Sequence, residues 1–165
     1  MSPTAEQTKL LSIYLEDHVA GATAGSQRAA RLADAEAESK DAHVLATFAA
    51  DVAKDLDALL ALMKTLDVEP NRLKAGVASV AEKVGALKLN GRVFERSPLS
   101  TIVELEAMQM AVRGKRSLWE TLQAAMASPT PDELNELIGR ADAQLDMLSA
   151  LHAERVANTF APPAG

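Results

Sequence analysis

Four long stretches carry apolar residues at spacings of three and four: 3–37, 40–66, 97–127 and 130–160. That spacing puts the apolar side chains on one face of an α-helix. A helix with one apolar face must bury it against other helices, so the pattern predicts an all-α four-helix bundle. Residues 67–96 form a much longer connection than those joining the other neighbouring helices. Within it, Val77, Val80, Ala81, Val84 and Leu87 predict a short amphipathic helix, and Asn90-Gly91 a turn. A crossover of that reach lets the second and third helices run parallel, whereas a plain up-down-up-down bundle needs no such span. Residues 1–165 are expected to make a single domain.

The expected seams follow from the periodicity. The first helix offers Leu11, Tyr14, His18, Gly21, Gly25, Ala29 and Leu32, and the second Leu45, Phe48, Val52, Leu56, Leu59, Met63 and Leu66. The third offers Ile102, Leu105, Gln109, Val112, Arg116 and Trp119, with Leu122 and Met126 nearby, and the fourth Leu134, Leu137, Ala141, Leu145, Leu148, His152 and Val156. Ser97-Pro98 marks one helix start, and Thr130-Pro131 with Glu133 forms a capping box at another. Aromatics make up only 3% of the chain, so the core must be aliphatic.

Charge and composition exclude several functions. A net charge of −6 opposes general nucleic-acid affinity. No apolar run approaches the roughly 18 residues of a membrane span. Cysteine is absent, which removes disulfide and thiolate chemistry. The opening Met1-Ser2-Pro3-Thr4-Ala5-Glu6 lacks a signal-peptide pattern, and a cytoplasmic location is the expectation. There is no Gly-x-Ser-x-Gly elbow and no Gly-rich phosphate loop, so no catalytic residue is assigned.

Leu10–Leu66 and Pro98–Phe160, joined by a helical crossover, resemble the ferritin-like superfamily, and within it small uncharacterised actinobacterial bundle proteins. The stretches carrying the resemblance are Tyr14-Leu15-Glu16-Asp17-His18, Val80-Ala81-Glu82-Lys83-Val84-Gly85, Leu87-Lys88-Leu89-Asn90-Gly91-Arg92 and Ser97-Pro98-Leu99-Ser100. Typical members bind two irons through four carboxylates and two histidines, using Glu-x-x-His pairs. Here the residues three before His18, His43 and His152 are Leu15, Lys40 and Ser149. No metal ligand carries over, and no cofactor is expected.

Four constellations remain, each with a functional and a structural reading. Asp17 and His18 precede a run of small residues that includes Gly21 and Gly25. These glycines serve either a ligand-admitting void or close helix packing filled by Trp119 or Phe48. The packing reading predicts that Gly21→Leu forces helices apart, at about 1–3 kcal/mol. His152, on the fourth seam, reads as a hydrogen-bonded core residue or a ligand. A ferritin-like order brings it level with Glu104 and Glu106, and an up-down order brings it nearer His18. Asp17, His18, Glu104, Glu106 and His152 thus form the candidate ligand or polar-core set. The carboxylates Asp51, Asp55, Glu104, Glu106, Asp142 and Asp146 hold a hard cation if they face inward, and are otherwise solvated. Finally, 72–96 holds six basic against two acidic residues, a local charge of +4 in a chain of −6. Lys83, Lys88, Arg92 and Arg96 there are the candidate partner surface, for an acidic protein, another copy of the chain, a phosphate ligand or an anionic membrane. The leading expectation is a non-catalytic interaction or assembly module. The alternatives are a metal-binding or redox enzyme with a non-standard carboxylate/histidine site, and a small-ligand carrier.

Overall fold

A computed structural model describes residues 4–68, 97–125 and 131–161. They form four helices: α1 (Ala5–Ala35), α2 (Ala42–Thr65), α3 (Pro98–Ala125) and α4 (Pro131–Phe160). No strand occurs among the described residues, and no described helix is long and apolar enough to cross a membrane. The expected helix in 67–96, the Thr130 cap and the basic group Lys83, Lys88, Arg92 and Arg96 lie outside the described residues.

The helix ends follow local chemistry. Thr4 Oγ1 accepts from the Gln7 N–H at 3.2 Å, and Gln7 Oε1 accepts from the Thr4 N–H at 2.8 Å, a reciprocal capping box. At the end of α2, Asp67 takes a left-handed φ of 53°. The Val68 N–H then reaches back to the Met63 carbonyl at 3.1 Å, and the Asp67 N–H to that of Lys64 at 3.3 Å. These are the two bonds of a Schellman ending, sealed by Val68 and Met63 in one core cluster. Ser97 Oγ accepts from the Leu99 N–H at 3.3 Å where α3 begins.

Cross-helix pairs fix the direction of each helix. Tyr14 reaches Thr121, Gly25 approaches Ala111, and Glu36 accepts from Thr101, so α1 and α3 are antiparallel. Along α2 and α3, Leu45 shares a cluster with Leu105, Asp55 pairs with Lys115, and Leu62 shares a cluster with Leu122, so these two helices are parallel. Val68 and Ser97 therefore lie at opposite ends of the bundle. The plain up-down alternative does not fit these pairs. α4 runs against α3, with Gln123 bonded to Asn135 and Arg116 to Asp142.

The apolar core is divided in two along the bundle. One cluster gathers Leu15, Val19, Leu59, Met63, Leu118, Trp119, Leu122 and Leu134. The other gathers Ala29, Leu32, Leu45, Phe48, Leu105, Met108, Val112 and Leu148. Burying a Leu- or Phe-sized side chain contributes about 1.5–3 kcal/mol, so these clusters supply the main driving force for folding. Beyond the second cluster, Arg155 donates to Glu36 at 2.9 Å and to Asp41 at 2.8 Å. That pins α4 to the turn between α1 and α2.

Several expected seam positions move. α1 buries Leu15 and Val19, while His18 and Gly21 sit at the margin. α3 buries Met108 and Leu118, leaving Gln109 and Arg116 half-exposed. A real helix buries an arc wider than one line of residues, and the arc is centred where the neighbouring helices lie.

Candidate functional site

A polar layer lies between the two apolar clusters. On α2 the buried positions run 48, 52, 55, 59 and 62. On α3 the same spacing runs 108, 112, 115, 119 and 122, and on α4 it runs 137, 141, 144 and 148. The middle members are Asp55, Lys115 and Gln144. Lys115 Nζ donates to Asp55 Oδ2 and, at 2.5 Å, to Gln144 Oε1. Gln144 Nε2 donates to Asp55 Oδ2 at 3.1 Å, which closes a ring. Arg140 Nη1 donates to Asp55 Oδ1 at 2.8 Å. Asp55 is only 2% exposed, and its buried charge is tolerable because three donors and two cations surround it. Burial lowers the Lys115 pKa, an effect that the Asp55 charge opposes and the Arg140 charge assists.

α1 adds no polar side chain to this ring. At that level it presents Gly21, Ala22 and Gly25, and α3 presents Ala111 and Gly114 across from them. Two helices held at a distance set by larger residues above and below, but bare of side chains between, cannot close. The result is a cleft of about 400 Å³. Val52, Leu56 and Leu59 line it from α2, Met108, Val112, Leu118 and Trp119 from α3, and Asp17 and His18 from α1. Asp55 and Lys115 are also part of its wall.

The packing reading of the glycines is therefore overturned. A Cβ built on Gly21 meets nothing within 4 Å, and one on Gly25 meets only Ala111 Cβ at 4.0 Å. Trp119 lies on the wall without filling the space. Gly21→Ala should raise stability by about 1 kcal/mol, the difference in helix propensity, because the methyl group meets no obstacle. Gly21→Leu should be tolerated too, where close packing predicted a loss. Urea midpoints of both variants check this, and a fall for the alanine variant would show that the groove closes in solution.

The candidate set divides between two places. Asp17 and His18 border the cleft, and the His18 ring meets the Tyr14 ring edge-on, with centroids 4.6 Å apart. Burial lowers the His18 pKa, partly offset by the Asp17 charge. The folded protein thus binds a proton at His18 less readily than the unfolded chain does. Stability should fall as pH drops from about 6.5 toward the lowered folded value, and the loss is complete below it. Urea titrations across that range should show a slope that His18→Gln flattens.

His152 Nε2 lies 3.0 Å from Glu106 Oε1, the level expected of a parallel α2–α3 order. This pair sits about 18 Å along α3 from the His18 end of the cleft, at 1.5 Å per residue. Glu104 is half-buried on the same helix. Of the other carboxylates, Asp51 bonds Lys54 at 2.9 Å, Asp142 bonds Arg116 at 2.6 Å, and Asp146 is exposed. Asp55 is the exception to the solvated reading. Among the described residues, no three of His, Asp and Glu converge to hold a metal ion.

Lys115, Arg140 and Gln144 were not among the expected site residues. The signal is a one-position choice: the three-and-four spacing of α3 and α4 runs equally well through Lys115 and Gln144 as through the neighbouring Arg116 and Leu145. No protein-family model matches this chain, and no match was found among the curated proteins or the solved structures.

Proposed function

We propose that this bundle is a small-molecule-binding module whose site is the cleft between α1 and α3. The observation that carries the reading is the cleft of about 400 Å³, open beside Gly21 and walled by apolar side chains with Lys115 and Asp55 at its side. That volume falls in the range of small-ligand sites, roughly 300–1,000 Å³, and the mix of apolar walls with few polar groups is typical of them. Bundles commonly build such sites from facing helices at mid-length. The parallel α2–α3 order also supports a place among ferritin-like bundles, as an analogy of fold that assigns no chemistry.

Trp119 is the only tryptophan in the chain and lines the cleft, so its fluorescence reports on occupancy. Titration with octanol, a small uncharged apolar probe, should change Trp119 emission saturably. A double variant Gly21→Leu/Gly25→Leu, which fills the groove, should lose the response. An unchanged response in that variant would place the probe elsewhere.

The interaction or assembly reading keeps one observation in its favour. Leu99, Val103 and Met110 recur on one face of α3 and are 50%, 56% and 68% exposed. Sedimentation of the purified protein over a concentration series tests it.

A further inference from the structure

We infer that the ligand of this cleft is a small uncharged ester or ketone, held with its carbonyl oxygen at Lys115 and its apolar body along Leu56, Leu59, Met108 and Val112. This rests on the cleft being a binding site, and adds the chemistry of its occupant.

The charges of the wall are already answered. It holds Asp17, Asp55 and Lys115, with His18 next to Asp17. Asp55 accepts from Lys115, Arg140 and Gln144, so it has little pull left for a ligand cation. Lys115 is paired with Asp55, and Asp51 adds a second negative charge acting on it, so it has little left for an anion. Asp17 is exposed, and water screens a charge placed beside it. The adjacent His18 shows the balance. Burial lowers its pKa although the Asp17 charge opposes that shift, so a positive charge here loses more in hydration than Asp17 returns. An ion entering the apolar space therefore gives up water without gaining a free counter-charge.

What the wall does offer is a hydrogen-bond donor. An ammonium has three N–H groups. Lys115 directs one at Asp55 Oδ2 and one at Gln144 Oε1, and among the described residues the third has no acceptor. Trp119 carries another unpartnered donor, but its Nε1 is buried, whereas the Lys115 side chain keeps 12% of its surface exposed. Lys115 is a wall residue of the cleft, so a ligand oxygen can take the third place. A carbonyl suits it because it only accepts. A hydroxyl brings a proton that needs an acceptor of its own. A hydrogen bond to a charged donor raises affinity about tenfold or more.

The test follows Trp119 fluorescence of the full chain with methyl heptanoate, with its isomeric acid as octanoate, and with octylammonium. The ester should bind at least about tenfold more tightly than either ion. The carbonyl stretch of the bound ester, read by infrared difference spectroscopy, should lie below its frequency in hexane, the signature of a hydrogen bond. Lys115→Met should return the stretch toward the hexane value and weaken ester binding about tenfold. If circular dichroism shows that this variant does not fold, the triple variant Asp55→Leu/Lys115→Met/Gln144→Leu, which leaves no buried polar group of the ring stranded, gives the same reading. A wild-type stretch at the hexane value, or a lowered stretch that survives in the folded variant, would overturn the assignment to Lys115. Equal or tighter binding of octanoate or octylammonium would overturn the uncharged class. Both of those results leave the cleft standing. An ester response that persists in Gly21→Leu/Gly25→Leu, or no response to any of these probes, would overturn the binding site itself.

Discussion

Asp55→Ala should destabilise the bundle by about 3–5 kcal/mol, the cost of breaking a buried ion pair from one side. The substitution leaves Lys115 and Arg140 facing each other with no carboxylate between them, and strands the Gln144 amide that bonded to Asp55. Replacing Asp55, Lys115 and Gln144 together by leucine, methionine and leucine should cost much less, because apolar side chains of similar volume can pack where the ring stood and no buried amide loses its partners. Urea denaturation of the single and triple variants separates these outcomes. An Asp55→Ala midpoint close to wild type would mean that the carboxylate is solvated and that the polar layer does not exist.

Trp119→Ala should cost a similar amount, about 3–5 kcal/mol. The indole is 1% exposed and joins α3 to Leu15 and Val19 of α1 and to Leu59 of α2. Its removal opens a cavity next to the cleft, and helices pinned elsewhere by Leu122 and Leu134 cannot collapse into it. Trp119→Phe should cost far less than its lost area implies. The buried Nε1–H has no hydrogen-bond partner among the described residues, so the phenylalanine variant discards an unsatisfied donor along with the second ring. Thermal melts of the two variants check the order. If Trp119→Phe is as damaging as Trp119→Ala, the indole nitrogen has an acceptor.

Much of the fold was legible because the seams are long and aliphatic. The stretches 40–66 and 130–160 differ from α2 and α4 by at most two residues at either end, and the seam Leu45, Phe48, Val52, Leu59 and Met63 is buried as its spacing predicts. α1 was harder to read. Gly21 and Gly25 fall on a helical stripe with Tyr14 and His18, and periodicity cannot tell a glycine that packs from one that borders open space. That distinction depends on what α3 places opposite, and Ala111 and Gly114 are a second bare patch on a helix distant in sequence. The site was half legible for a similar reason. Asp17 and His18 are legible in the sequence as a titratable pair, and they border the cleft. Lys115 and Gln144 each stand one position before an expected seam residue, Arg116 and Leu145, and spacing alone does not choose between adjacent positions; only the pairing with Asp55 from α2 gives them meaning. His152 and Glu106 meet as length counting allowed, but on another part of α3 from the cleft.

Intermolecular nuclear Overhauser effects from bound octanol to assigned side chains show whether a small ligand occupies the groove between α1 and α3. Contacts from the alkyl chain to Met108, Val112 and the Trp119 ring are the expected result. Contacts confined to Leu99, Val103 and Met110 on the exposed face of α3 would contradict it.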